Sequence, residues 1–201
     1  MFVEHLPDDR GQAHTLEAFT AALLLVTGLI FATQATAVTP LSASTSNQHV
    51  ENQVAVAAQD VLETSSESGD LSAALRYYDD GFVGAGDSGT YAGLPNAPNP
   101  LHGPLEEAFA ERQVAFDIDV YYPTPDGDTE RTEMVDMGSP TDNAATASTR
   151  VALYGDDTFG SADEYTLAEN GTASYFAPPV DASHPEVLYT VVEVRITAWQ
   201  I

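Results

Sequence analysis

An uncharged apolar run near the amino terminus constrains this chain more than any other feature. No residue between Glu17 and Glu51 carries a formal charge, and positions 18–38 are mainly Ala, Leu, Val, Ile, Phe and Thr. A helix over 18–38 would be about 30 Å long, which matches the hydrocarbon core of a bilayer. Because apolar side chains lie all round this helix, we expect it to be buried in lipid or in a helix bundle.

A second helical pattern with a different character follows this run. Pro40 is expected to break or kink the helix, and Val50, Val54 and Val61 then form one apolar stripe of an amphipathic stem. One face of this stem is free to pack on a sheet. The predicted organisation is a leader over 1–11, a transmembrane or filament-core helix over 12–39, a stem helix over 40–68 and a head domain over 69–201.

The chain is strongly acidic. It has 31 Asp and Glu against 6 basic residues, all of them Arg, for a net charge of −25. Such a chain repels nucleic acid, which we exclude as a partner. Self-repulsion of this size calls for screening by high salt, and the composition resembles that of proteins from extreme halophiles. Since 43% of the residues are hydrophobic, the chain is expected to fold rather than stay disordered.

The head is predicted to contain short helices first. A helix is expected over 71–78 with Asp70 as its N-cap, and the Gly- and Pro-containing stretch 79–103 is predicted to be loop. Pro104 at the first helical position is expected to open another helix that ends near Glu111.

The rest of the head shows strand patterns. Residues 114–122 alternate between apolar and polar, and 129–137 would return antiparallel after a turn at 124–128. A third strand is expected around 149–153, and the longest over 188–198. Helices followed by strands indicate an α+β fold, with the stem helix packed on a small antiparallel sheet.

The segment that joins the leader to the apolar run carries a family resemblance. The stretch RGQAHTLEAFTAALLLVTGLIFATQATAVTPLSASTSNQHVENQ resembles the N-termini of type IV pilin-like and archaellin-like precursors, in particular haloarchaeal pilin-like membrane proteins of largely uncharacterised function. The resemblance implies a class III signal peptide, which a prepilin-type peptidase cuts between Gly11 and Gln12, directly after Arg10. Glu17, the sixth residue of the product where many such precursors have it fifth, would then pair with the free α-amine of a neighbouring subunit.

Two other interpretations of residues 1–40 remain open. Ala35-Thr36-Ala37 fits the small-x-small cleavage pattern of a secretory signal peptide, but a positively charged start is missing. A plain uncleaved anchor is the other interpretation, and its orientation depends on Arg10 alone. The pilin-type interpretation is preferred to the plain anchor, and the plain anchor to the secretory signal.

Several motifs in the head have simpler explanations than chemistry. Gly86-Asp87-Ser88-Gly89 matches the serine-protease GDSG tetrad, but such clusters are ordinary loop material. The absence of Cys excludes disulfides and thiol catalysis. No pair of the five histidines has metal-ligand spacing, no cofactor is predicted, and calcium in the acidic turns is unsupported. The acidic turns lie at the following positions: 79–80, 126–128 and 156–157. Tyrosines, phenylalanines and Trp199 are expected to be half-buried sheet residues rather than a binding surface.

These patterns predict a non-enzymatic surface protein. The chain would be a minor pilin-like subunit of a type IV pilus-like filament or related assembly. It would be held in the cell membrane with its head outside the cell, and it would assemble with itself or with other pilin-like subunits. Asn170-Gly171-Thr172 is a glycosylation sequon, which makes Asn170 a candidate acceptor if the head is extracellular. The alternative is a membrane-anchored extracytoplasmic binding domain or enzyme that does not polymerise.

Overall fold

The computed structural model describes residues 9–161, 165–171, 174–181, 183–185 and 187–201. Its first element is the long helix α1 (Asp9–Ser68). Within α1 the side chains are described over 14–32 and 48–68. The chain forms two compact units, Met1–Asn47 and Gln48–Ile201. The boundary between them falls inside the predicted stem 40–68, and the four predicted segments stay a prediction.

In the second unit, one face of α1 enters the core. Val54, Ala58, Val61 and Leu62 are buried in the same hydrophobic cluster as the inward-facing residues of the sheet. Their spacing of three and four residues puts them on one side of the helix, as the amphipathic pattern predicts.

Two short helices complete the helical part of this unit. Helix α2 (Asp70–Arg76) buries Leu71, Ala74 and Leu75. Helix α3 (His102–Phe109) buries Leu105 and Phe109 and continues into a 3₁₀ turn (Ala110–Arg112).

A four-stranded antiparallel sheet forms the other layer. Its strands are β1 (Val114–Pro123), β2 (Thr129–Val135), β3 (Ala145–Tyr154) and β6 (Leu188–Gln200). They lie side by side in the order β2-β1-β6-β3. The last strand therefore lies in the middle, between β1 and β3. The α+β class and the antiparallel sheet are as the sequence predicts.

Smaller elements lie between β3 and β6. A two-stranded ladder pairs β4 (Thr158–Phe159) with β5 (Tyr165–Thr166), and a π-helical turn (Leu167–Gly171) follows it. Strand β6 contributes Tyr189, Val192, Val194 and Ile196 to the core, each at most 1% exposed. Alternation along the strand leaves Glu193 and Arg195 on the opposite face.

Three local expectations are wrong. Of the break or kink predicted at Pro40, the break is absent, because the helical backbone of α1 continues through this residue; a helix can keep its turns on either side of a proline at the cost of one hydrogen bond and a kink. Helix α2 is preceded by Gly69 in a left-handed conformation (φ 86°), so Asp70 is the first helical residue and not the N-cap. Helix α3 begins at His102, two residues before Pro104, because a proline anywhere in the first turn lacks only an N–H that has no helical partner.

Candidate functional site

The apolar part of α1 presents its large side chains outward. His14–Ala32 has a mean hydropathy of 1.9 and is long and apolar enough to cross a membrane. Leu24, Leu25 and Phe31 are 74%, 75% and 74% exposed. Moving one such side chain out of water is worth roughly 1.5–3 kcal/mol. Leaving all of them in water would therefore cost on the order of 10 kcal/mol, and such a surface is consistent with a membrane anchor or a signal sequence.

The polar side chains inside this segment suit an apolar medium. Thr20 Oγ1 donates to the carbonyl oxygens of Leu16 at 3.0 Å and Glu17 at 2.9 Å, and Thr27 Oγ1 donates to that of Leu23 at 2.7 Å. Each of these two hydroxyls is satisfied within its own helix, which is the condition for a polar group to lie in hydrocarbon. The two threonines therefore do not hinder insertion.

Glu17 is the only formally charged residue of this segment. Its carboxylate lies 3.8 Å from His14 Nδ1, and both side chains are more than four-fifths exposed. The pair lies in the first turn and a half of His14–Ala32, where an ionisable group reaches a membrane interface. The predicted cleavage residues Arg10, Gly11 and Gln12 lie upstream in α1, and their side chains are outside the described ones, as are residues 1–8 of the leader.

The first two residues of the sequon lie in a turn beside the core. Asn170 and Gly171 belong to the π-helical turn, while the Asn170 side chain and Thr172 fall outside the described part. A Cβ built on Gly171 would lie 2.6 Å from the hydroxyl of the buried Tyr189. Only glycine fits this close approach, so the middle residue of the sequon holds the turn against the sheet.

The GDSG tetrad lies in a loop in which the backbone of Gly89 passes close to that of Gly81. Both hydrogen bonds found for the Ser88 hydroxyl go to Thr90, one to its carbonyl oxygen at 3.0 Å and one from its N–H at 3.3 Å. Phe82 N–H donates to Gly89 O, and a Cβ on Gly81 would lie 2.8 Å from Gly89 Cα. This geometry gives Ser88 and the glycines around it a structural role in the loop.

Two histidines and one acidic turn of the head make local contacts. His102 Nδ1 lies 2.8 Å from Pro95 O, and His184 lies 3.4 Å from Asp181. Asp157 accepts a hydrogen bond from the Tyr154 N–H at 2.7 Å, which closes the turn after β3. Within the described residues, no three His, Asp or Glu side chains are placed to share a metal ion. His5 lies outside that part of the chain.

Several aromatic residues form a cluster inside the head. Tyr78, Phe82, Tyr175 and Phe176 stack edge-on or tilted, with ring centroids 4.3–6.1 Å apart. The Tyr175 hydroxyl donates to Leu75 O at 3.0 Å, and burial raises its pKa well above the usual range. Trp199 is only 3% exposed, whereas Tyr154 and Tyr165 are 49% and 42% exposed. The cluster is packing rather than a binding surface.

An open groove of about 980 Å³ lies in the described head. The segment of α1 from His49 to Thr64 forms one wall, and Pro104, Glu107, Ala108 and Arg112 form the other. Sequence reasoning did not single out this groove. The polar stripe at His49, Gln53 and Asp60 is visible in the sequence, but its position opposite α3 depends on tertiary packing.

The chain is thus an α+β protein with one N-terminal apolar helix that could anchor in a membrane or act as a signal sequence. It belongs to DUF7288, a family of unknown function whose model matches residues 10–198. The match covers the apolar helix together with the head. No curated protein and no solved structure matches the chain.

Proposed function

We propose that this protein is a pilin-like, membrane-anchored surface subunit without enzymatic activity. The observation that carries the proposal is the apolar segment His14–Ala32, none of which is buried. The same helix continues into a segment that buries one face, including Val54 and Leu62, in the core of the head. The arrangement of a long N-terminal helix whose later turns share a core with a small antiparallel sheet also supports it.

In this proposal the N-terminus is processed before assembly. A prepilin-type peptidase cuts between Gly11 and Gln12. Glu17 then neutralises the new α-amine of a neighbouring subunit, since an unpaired carboxylate in apolar surroundings is costly. The filament role is that of a minor subunit in a salt-adapted archaeon, with the head outside the cell and Asn170 as a glycosylation acceptor.

The mass of the mature N-terminus tests the processing step. Protein from the membrane fraction and from the culture medium is digested, and its first peptide is measured. A start at Gln12 supports the pilin route, a start at Val38 supports a secretory signal, and a start at Met1 or Phe2 supports a plain anchor. Gly11→Val should block cleavage, whereas the matched Gly28→Val, at a position where a Cβ meets nothing within 4 Å, should not. If Gly11→Val and Gly28→Val are processed equally, cleavage between Gly11 and Gln12 is wrong.

Assembly is tested at Glu17. We expect Glu17→Gln to leave the protein in the membrane but to reduce its co-purification with neighbouring subunits. Glu17→Asp, which keeps the charge, should retain most of that co-purification. If Glu17→Gln stays in the membrane and co-purifies with neighbouring subunits as well as the parent does, the role proposed for this carboxylate is wrong.

The open groove favours one second candidate, a membrane-anchored binding domain that does not polymerise. His49, Asp60 and Glu107 line it together with apolar side chains, a mixture found in ligand sites. Electron microscopy of the cell surface separates the two candidates, because only the pilin-like subunit is expected in filaments.

A further inference from the structure

The two edges of the four-stranded sheet differ in how they are protected. At the β2 edge, Tyr91 N–H donates to Met134 O and Asp136 N–H donates to Tyr91 O, both at 2.9 Å. Thr90 Oγ1 donates to Glu133 O at 2.9 Å. Strand β2 also carries charged side chains, so this edge is both covered and charged, as sheet edges usually are.

The β3 edge is less protected: its one charged side chain is Arg150, although helix α2 contacts the strand. Among the described residues, only Tyr154 at its end makes a backbone hydrogen bond outside the ladder with β6. Strand β3 is ten residues long, contains no proline, and has Thr146, Ser148 and Arg150 exposed. An edge of this length with unpaired N–H and C=O groups, regular up to the register shift between Leu153 and Tyr154, is a template for another strand.

The charge of β3 is unusual for this chain. The stretch from Asn143 to Gly155 has no acidic residue, although the chain contains 31. Its one charge, Arg150, lies opposite Glu193 of β6 and helps to lower the pKa of that carboxyl, which the hydrogen bond from Arg195 lowers most. A second copy of the chain, itself at −25, meets no like carboxylate along this strand. The edge is therefore electrostatically suited to self-association.

We propose that two copies of this chain join β3 to β3 in antiparallel orientation, centred on Thr149. In this register Ala147 faces Val151 and Ala145 faces Leu153 on the core side of the sheets, so small residues oppose large ones. On the outer side Ser148 faces Arg150 of the second copy. Centring on Arg150 instead would oppose two guanidinium groups, which is unfavourable. The result is a two-fold interface and a continuous eight-stranded sheet. This inference does not depend on the proposed function.

Opposite charges placed at Ser148 test the register. The full-length chain in detergent micelles is followed by analytical ultracentrifugation at the lowest salt concentration at which the head stays folded, so that the introduced charges are screened as little as possible. Two symmetric Ser148–Arg150 pairs form, so Ser148→Arg should weaken dimerisation by roughly tenfold and Ser148→Glu should tighten it by a similar factor. Thr129→Arg on the β2 edge is the matched control and should leave dimerisation unchanged. An equal effect of Ser148→Arg and Thr129→Arg, or a monomer at every concentration, overturns the proposal.

A disulfide tests the centre independently. The chain has no Cys, so Thr149→Cys introduces the sole thiol, and the two Cβ atoms would be about 4.5–5.5 Å apart in the dimer. We expect a covalent dimer under mild oxidation. Thr146→Cys, whose two copies would be about 20 Å apart, should stay monomeric on a non-reducing gel. A covalent dimer of Thr146→Cys but not of Thr149→Cys would refute this register.

Discussion

Two regions of helix α1 share a backbone conformation but differ in what surrounds their side chains. Between His14 and Ala32 the large apolar side chains are exposed on every side. Between Val54 and Ser65 one face is buried in the head, and the other holds polar residues such as Asp60 and Glu63. The difference teaches that helical periodicity alone does not define a role; the width of the apolar surface indicates the medium that each region requires.

The sharpest test of this difference truncates one leucine in each region. Leu62 is 1% exposed in the head core, so Leu62→Ala should lower the free energy of unfolding of the head by about 2–5 kcal/mol. Leu25, 75% exposed, has no such packing, and Leu25→Ala should leave that free energy unchanged. Denaturant titration followed by near-ultraviolet circular dichroism measures both. Equal losses would mean that the two regions are packed alike.

A charge in the apolar region should affect the membrane and not the head. Leu25→Asp places a carboxylate near the centre of the candidate span, which costs about 2.5–3.5 kcal/mol of insertion. We expect a smaller membrane-bound fraction after alkaline extraction and an unchanged unfolding transition. Val56→Asp is the control, because Val56 is 59% exposed in the head; its membrane fraction should equal that of the parent. A drop for both variants would show that the assay reports general damage.

The parts of the fold with strong periodicity were predictable. Alternation predicts β1 and the end of β6, and the spacing of Val54 and Val61 predicts the buried face of α1. Strand β3, in contrast, begins at Ala145, four residues before the predicted start. The residues Ala145 to Ser148 are too small to give an apolar pattern, and their pairing with β6 makes them a strand.

Long-range placement was not predictable from local patterns. Nothing in the chain order indicates that β6 lies between β1 and β3, and the short β4–β5 ladder and the π-helical turn carry no periodic signal. The same holds for the candidate sites. His14 and Glu17 meet because they are three residues apart on a helix, whereas the groove between α1 and α3 depends on the packing of Leu105 and Phe109.

Within the head, close-packed and open glycines give a smaller contrast. Gly171→Ala would place Cβ within 2.6 Å of Tyr189 Oη and 2.9 Å of its Cζ. Since Tyr189 is fully buried, relief requires a backbone shift, and we expect a loss of about 1–3 kcal/mol in unfolding free energy. Gly93→Ala is the control, with nothing within 4 Å of its Cβ. A Gly171→Ala protein as stable as Gly93→Ala would show that the turn is not held against β6.

The smallest expected effect contrasts two carboxyls of the head, that of Asp117 on strand β1 and that of Asp181 in the loop before β6. Burial raises the pKa of Asp117, with the carboxylates of Asp136, Asp119 and Glu133 adding to the rise and the hydrogen bond from Met137 N–H opposing it. The folded state therefore holds this proton more tightly than the unfolded chain. Stability from this group falls as pH rises from the ordinary carboxyl pKa, about 3.9, through the raised folded value, and it stays lower at neutral pH.

Asp117→Asn should consequently raise the free energy of unfolding at neutral pH, by less than about 1 kcal/mol because the carboxyl is partly solvated. The gain should vanish in acid, where Asp117 is protonated in both states. Asp181→Asn should change stability in the opposite direction. The hydrogen bond from Ser183 N–H lowers the pKa of Asp181, so its contribution is present above the ordinary carboxyl pKa and is lost as pH falls through the lowered value. Denaturant titrations at neutral and acidic pH separate the two variants. A shift of the same sign in both would contradict the asymmetry, since an ionised carboxylate destabilises the fold when its folded pKa is raised and stabilises it when that pKa is lowered.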